Sequence, residues 1–598
     1  MLNTSEISRV SAALPLTDWN SIPWIKFQRH VRKLQQRIYH EESLGNKRKV
    51  RELQRLLMRS KSALLLSIRQ VTQINKGKRT AGVDGYKALT PKERFKLYNK
   101  LCTYNVFSHR PKPSRRTYIQ KKEKGKLRPL GIPVIIDRVY QNVIKLALEP
   151  QWEVHFEPTS YGFRPKRSQH DAVESIFTKI QSKTRKKWVF EGDFKGCFDN
   201  LNHDFILKQI DGFPAQKLIK DWLKSGFVAN NVFKVTETGT PQGGIVSPLL
   251  ANIALHGMES GLGIDYYTVR RKSGHIEYQN KSSLSMVRYA DDFVIFCETK
   301  EEAESMYQRL IPYLDERGLE LAKDKTRVVH VTEGFDFLGF NFRQYKSKKE
   351  KDRPMKLIVK PSRASQAKYR GKIKEIFEKN KGGNVAKLIH DLNPVIRGTA
   401  NYWKAVSSKD IYAKMDNYIF WKGIRFLNRL HPHKSTQWKK KRYYKPDIHG
   451  ISKDNWLLTD PTGKYQLFKM TWTSTTPHEM VKFTNSPFNK DLRDYYAKRD
   501  IKLFNKDSVA SKQKLAKQQK HTCPLCGTSI FSEEGLEIHH KTPRVKGGKD
   551  TYQNLALVHI SCHTLWHKAF PPKGETPTDI QTKAFKKMLR RVRISEGF

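Results

Sequence analysis

Two constellations in this 598-residue chain have the residue types and spacing to do chemistry. The first is Asp291-Asp292, set within Ser285-Met-Val-Arg-Tyr-Ala-Asp-Asp-Phe-Val-Ile-Phe-Cys297. Apolar, β-branched and aromatic residues on both sides predict a short hairpin with two carboxylates at its turn. Adjacent acids in an apolar setting repel each other and resist desolvation, so a divalent cation is their natural counter-charge. Aspartate is also common in turns for its own backbone hydrogen bonding, and the string alone is weak. The second constellation pairs Cys523-Pro-Leu-Cys526 with His559-Ile-Ser-Cys562, the two-plus-two spacing of a tetrahedral zinc site. Between and after them stand His539-His540, Gly547-Gly548, Asn554, His563 and His567.

Something must position the acids. Trp188-Val-Phe-Glu-Gly-Asp193 reads as a strand ending in a third carboxylate, with Phe198 five residues later. Thr240-Pro-Gln-Gly-Gly244 leads into a helix, and Gly243 and Gly244 would let backbone approach a ligand closely. Beyond the hairpin, a helix over about 300–317 precedes Gly318–Thr326, and Phe335–Phe340 reads as an apolar turn. An acid-tipped strand, a helix and an acid-tipped hairpin suit a βαβ-type palm. Upstream, His109–Arg128 predicts a basic ribbon turning at Glu123-Lys-Gly125, able to close over a triphosphate or a template backbone. A solvated charged hairpin fits that local sequence equally well. Trp24, Phe27, Val31, Leu34 and Ile38 form one helical stripe, and a second helical stretch covers about 49–72.

The second half is basic. Residues from about 355 to 450 read as a separate helical unit, with Asn393-Pro394 as a cap and first helical position. Its Lys and Arg, including Lys439-Lys-Lys-Arg-Tyr-Tyr-Lys445, are interleaved with Tyr and Trp, a mixture that suits RNA. Residues 461–515 carry no quotable motif, and 505–520 reads as a linker or exposed helix. Over the whole chain the net charge is +55 and the pI near 10.0, the footprint of a polyanion binder. No run approaches the ~18 apolar residues of a spanning helix, so nucleic acid and not a membrane is the expected partner. The six cysteines are consistent with reduced thiols plus one metal site. Met1-Leu-Asn-Thr-Ser-Glu6 has no basic leader followed by an apolar core, so an intracellular protein is expected.

Taken in order, seven blocks resemble a group II intron-encoded reverse transcriptase and maturase of the chloroplast-like class. They are Leu127-Arg-Pro-Leu-Gly-Ile-Pro133, Ser160-Tyr-Gly-Phe-Arg-Pro165, Asp193 with Phe198, Gly239–Asn252, Tyr289-Ala-Asp-Asp292, Gly318–Thr326 and Phe337-Leu-Gly339. Arg397-Gly-Thr-Ala-Asn-Tyr-Trp403 resembles the maturase signature, and the terminal unit resembles an HNH endonuclease. The resemblance implies a multidomain α+β chain. A helical extension over 1–105 is followed by right-hand-like fingers and palm over 106–350 and an α-helical thumb, domain X, over 351–460. A basic DNA-binding segment and linker (461–520) and a small zinc-containing ββα HNH domain (521–598) complete it.

It also implies roles. Asp193 and Asp291 bind two Mg²⁺ ions, with Asp292 completing the triad; Lys121 and Arg128 hold the triphosphate. Phe198 excludes a ribose 2′-hydroxyl, Gln242 lies against the nascent base pair or template, and Lys325 protonates leaving pyrophosphate. In the HNH unit His540 is the general base, Asn554 fixes the hairpin, and His539 and His563 hold Mg²⁺ or another divalent ion. His567 is a further candidate ligand there, while Cys523, Cys526, His559 and Cys562 take a structural Zn²⁺. On spacing alone, an exchange of roles among His559, His563 and His567 stays open. The expected partners are group II intron RNA, target DNA and dNTPs, in a bacterial cytoplasm and on the nucleoid when bound to DNA. The expected function is splicing assistance, DNA nicking and target-primed copying of the intron. An RNA-binding splicing cofactor with idle enzymatic centres is the alternative, and a domesticated defence reverse transcriptase a third.

Overall fold

The computed structural model describes residues 19, 22, 24–120, 127–181, 183–229, 232–270, 276–347, 355–448, 450–508, 510–531 and 535–583. Helices Trp24–Ser43, Lys47–Arg59 and Lys61–Arg69 open the chain, and Val31, Leu34, Ile38, Leu53 and Leu57 turn inward at helical spacing. The expected 49–72 helix is interrupted at Ser60, whose extended backbone and side chain cap the next helix by accepting from Ser62 N–H. Strands β1 (Ser114–Gln120) and β2 (Leu127–Ile132) pair antiparallel as the basic ribbon, and its turn lies outside the described residues.

The centre of the molecule is a four-stranded antiparallel sheet. Its members are β3 (Trp188–Gly192), β8 (Ser285–Tyr289), β9 (Asp292–Cys297) and β10 (Arg327–His330), in the order β10-β3-β9-β8. Between β3 and β8 the chain forms two hairpins, β4 (Phe227–Ala229) with β5 (Val232–Lys234) and β6 (Tyr266–Arg270) with β7 (Ile276–Asn280). The first extends the ribbon into a sheet of order β2-β1-β4-β5. The unbroken apolar run Phe293–Cys297 is explained by burial on both faces. Phe293, Ile295 and Cys297 join the core shared with the N-terminal helices, while Val294 and Phe296 join a second core with the helices that follow.

That second core departs from the sequence expectation at its start. Met355–Pro361 is not helical; it is strand β13, paired along β12 (Phe340–Lys346), which in turn pairs with β11 (Phe335–Phe337). Helices Arg363–Lys379, Val385–Trp403 and Lys409–Leu430 then pack through Ile373, Leu388, Ile396, Tyr412 and Ile419. Pro394 lies inside the second of these and Asn393 is not its cap; the cap is Asn384, which accepts from Ala386 N–H. Asn393 instead spends its amide on the later chain, donating to Gln466 C=O at 2.9 Å and accepting from Phe468 N–H at 2.8 Å.

A two-residue ladder, β14 (Tyr444–Lys445) with β15 (Leu457–Leu458), leads into 461–508, which lies against the body of the protein. Val481, Phe488 and Tyr496 are buried there. The terminal unit is β16 (Leu536–His540) paired with β17 (Leu555–His559), then helix Ile560–Ala569. Helix Ala510–Gln518, in the stretch expected as linker or exposed helix, supplies Leu515 and Ala516 to its core. No helix among the described residues is long and apolar enough to cross a membrane.

Candidate active site and metal centres

Asp193 follows β3 directly, Asp291 lies in the Ala290–Asp291 turn between β8 and β9, and Asp292 opens β9, the strand beside β3. The register pairs Gly192 with Phe293, so the third acid arrives next to the other two. Burial raises the pKa of Asp291, and the nearby charge of Asp193 raises it further, while Arg128 and Lys325 oppose the shift. Lys325 Nζ donates to Asp193 Oδ2 at 2.8 Å. Asp291 is half-buried and Asp292 exposed. An acid whose ionised form is disfavoured by burial and by a like charge is chemically suited to a divalent cation. Ala290 holds a left-handed φ of 59°, which aims the turn; a Cβ on Gly162 would collide with the Ala290 nitrogen, so the Ser160–Pro165 loop must carry glycine there.

In the terminal unit two metal-competent groups form side by side. Cys523, Cys526, His559 and Cys562, all buried, bring one ligand atom each within 4.8 Å of the others. Ser529 C=O, 3.0 Å from His559 Nε2, fixes the tautomer, and His559 Nδ1 then faces Cys526 Sγ at 3.3 Å. His539, His563 and His567 form the second group, so the structure separates His559 from the other two. Glu537 Oε2, 2.6 Å from His563 Nδ1, orients that ring. His540 points elsewhere, with Nε2 2.7 Å from Asp550 Oδ1, and Arg544 clamps the same carboxylate. Asn554 closes the connecting loop by accepting from Thr542 N–H and donating to Thr542 and Lys549 carbonyls. Among the described residues these are the two groups of three or more ligands within 4.8 Å; the three aspartates are spread more widely, with Lys325 engaging Asp193.

Family models match this arrangement segment by segment. They are the N-terminal domain of reverse transcriptase over 19–101, reverse transcriptase (RNA-dependent DNA polymerase) over 119–342, the group II intron maturase-specific domain over 366–444 and HNH endonuclease over 523–569. Protein YkfC of Escherichia coli is 33% identical over 48% of this chain and 82% of its own length. The group II intron-encoded protein LtrA of Lactococcus lactis subsp. cremoris is 32% identical over 46% of this chain. The chain belongs to the group II intron-encoded reverse transcriptases and maturases. It matches 54% of LtrA, about half that protein's length, and is 28% identical to maturase-like protein 1 of Euglena gracilis over 64% of this chain. Its polymerase and HNH units make it an RNA-directed DNA polymerase with an endonuclease domain.

Within this reverse transcriptase, Phe198 sits on the short Cys197–Asn200 helix, edge-on to Phe163 with ring centroids 6.3 Å apart. Its carbonyl accepts from Thr240 N–H at 2.6 Å, tying it to the glycine block that carries half-buried Gln242. At Gly243 an added Cβ would collide with the Gly131 carbonyl, so β2 packs closely on the glycine block there. Arg128 is exposed on β2, and Lys121 lies outside the described residues. Sequence reading missed Glu537 and Asp550, which hold the histidines. It also missed Arg288, Glu157 and Glu259, a buried charged group behind the acidic turn. A lone arginine within the apolar β8 run was the available signal.

Proposed function

We propose that the chain copies RNA into DNA at Asp193, Asp291 and Asp292, nicks target DNA at the histidine centre, and primes the copy from the nicked 3′ end. In this reading the β10-β3-β9-β8 sheet is the palm, the β2-β1-β4-β5 sheet the fingers, and the helices of 363–443 the thumb that grips intron RNA to assist splicing. The reading rests above all on the three acids being delivered by adjoining strands, within electrostatic reach.

Two bound Mg²⁺ ions would activate the primer hydroxyl and offset charge on the leaving pyrophosphate. Asp193 and Asp291 hold them, with Asp292 completing the set. Arg128 and Lys121 grip the triphosphate by charge-assisted hydrogen bonds. Phe198 closes the space a 2′-hydroxyl would need, Gln242 lines the nascent pair, and Lys325 hands a proton to pyrophosphate. In the nuclease, His539, His563 and His567 hold one divalent ion. His540 takes the proton of the attacking water while Asp550 holds its ring and Asn554 fixes the loop. Zn²⁺ on Cys523, Cys526, His559 and Cys562 is structural.

Oligonucleotide-primed synthesis on an RNA template tests the polymerase. Wild type should extend only with Mg²⁺; Asp291→Asn should not extend and should still nick, and His540→Ala should show the reverse. A wild type that makes no product over a range of salt and metal conditions would leave the splicing-cofactor reading in its place.

A further inference from the structure

Next to the acidic turn lies a buried charged group that the chemistry above does not use. Arg288 is 0% exposed, although it stands one residue before Tyr289 on a strand otherwise apolar at that depth. A guanidinium removed from water survives only where carbonyls and carboxylates replace its hydration. Its neighbours come from three separate stretches. Nη1 donates to Ala290 C=O at 3.3 Å and to Asn252 Oδ1 at 3.4 Å, and Nη2 lies 3.8 Å from Glu157 Oε2. The backbone of the same residue bonds to the 159–161 loop on both sides, donating to Thr159 C=O at 3.0 Å and accepting from Tyr161 N–H at 2.9 Å.

The Arg288 side chain's first partner is the carbonyl of Ala290, the left-handed residue that immediately precedes Asp291. Alanine gains nothing by being left-handed, so its surroundings must hold it there. Asn252 links the same centre outward, donating to Gly162 C=O at 2.7 Å, and Gly162 is the residue packed on the Ala290 nitrogen. Glu157 is fixed in turn by the Gly257 and Glu259 N–H groups at 3.0 and 2.7 Å. The chain of contacts therefore ends on rigid backbone and not in solvent.

We propose that Arg288 is a positioning residue, which holds the Ala290–Asp291 turn in its left-handed form and so sets where the Asp291 carboxylate meets the catalytic cations. This rests on the reading that Asp291 binds metal. A displacement of about 1 Å in such a group costs about 10²-fold in rate. In the full-length chain, Arg288→Met should therefore lower primer extension by about that factor. It should also raise the Mg²⁺ concentration giving half-maximal extension several-fold, while leaving DNA nicking intact. Glycine enters the left-handed region freely, so adding Ala290→Gly should recover most of both effects. A residue that merely filled the core would not be rescued this way.

Wild-type extension and Mg²⁺ requirement in Arg288→Met would overturn the proposal, as would a loss that Ala290→Gly leaves unrelieved. Should Arg288→Met fail to fold, Arg288→Lys takes its place under the same two criteria. Failure of the underlying reading has a different signature, since Asp291→Asn would then extend primers as wild type does.

Discussion

Buried carboxylates around the polymerase centre are kept in different protonation regimes, and Glu259 shows what that does to stability. It accepts hydrogen bonds from Thr159 and Tyr266, yet burial and then the charge of Glu157 push its pKa up to about 7 from 4.5. An acid with a raised folded-state pKa favours the fold when protonated. As pH climbs from 4.5 towards 7 the unfolded chain releases the proton first, so wild type loses stability through that window and levels off above it. Glu259→Gln keeps an acceptor without the ionisation. Its stability should rise relative to wild type between pH 5 and 7.5 by an amount on the order of 1–3 kcal/mol, read as a higher melting temperature. A difference that stays flat with pH would contradict the assignment. On the short Cys197–Asn200 helix, Phe198 is proposed to exclude ribose by volume alone. Phe198→Val should then raise ribonucleotide incorporation about 10- to 100-fold, measured as the ratio of kcat/KM for the two sugars. Equal discrimination in the variant would return Phe198 to being core.

At the level of elements, the parts most legible in sequence were those whose local pattern is also their tertiary role. The 285–297 hairpin could be read because its apolar runs and paired acids agree, and the two Cys-x-x-Cys-like pairs because ligand spacing is set by the metal. The misreadings share one cause. Met355–Pro361 became a strand because β12 offered it an edge, Pro394 stayed within a helix whose cap, Asn384, lies ten residues upstream, and Ala510–Gln518 became core because the terminal hairpin needed cover. In each case the deciding partner lies outside the local pattern. Arg288, too, could be seen but not interpreted, since its function depends on Glu157 and Asn252 from distant elements. The terminal unit yields its own prediction. Its core is small, built around Leu557, Val558, Trp566 and the cysteines, so a metal on the Cys523–Cys562 group would supply much of its stability. Cys562→Ser should unfold this unit and abolish nicking while leaving primer extension intact, with protease cleavage confined to residues beyond about 508. Undiminished nicking with bound zinc absent would rule out a structural metal.

Across the whole molecule, part of the stretch expected to bind DNA is tied to the polymerase body at many points. Asp171, 0% exposed at the start of helix Gln169–Lys179, accepts from Val481 N–H at 2.6 Å and from Arg499 at 3.3 Å, and lies 3.4 Å from His478. Arg167 donates to the carbonyls of Phe483 and Asn485, Arg32 to that of Pro487, and Lys404 to that of Lys506. Phe483 stacks on Tyr278 with centroids 4.1 Å apart. Residues 477–508 thus join the N-terminal helix, helix Gln169–Lys179, the β6-β7 hairpin and the helical unit, and they fix the point from which the nuclease departs. Cutting the chain after residue 508 should therefore remove nicking and leave polymerase activity and melting nearly unchanged. Cutting after residue 475 strands a buried carboxylate and two buried cations, Arg167 and Lys404, at a cost of roughly 3–5 kcal/mol for the Asp171 contacts alone. That shorter chain should lose primer extension and solubility together. Acid should loosen the same clasp: although burial pushes the Asp171 pKa up, bonding to His478, Ser168 and Val481 outweighs it and holds the pKa below 3.8. Because the folded-state value is depressed, the stabilisation is full above pH 3.8 and is lost as pH falls below it, a loss that Asp171→Asn should not show. If the chain cut after residue 475 copies RNA as well as the chain cut after residue 508, the segment is a tether after all, and nicking and copying are not held in register by the polymerase body.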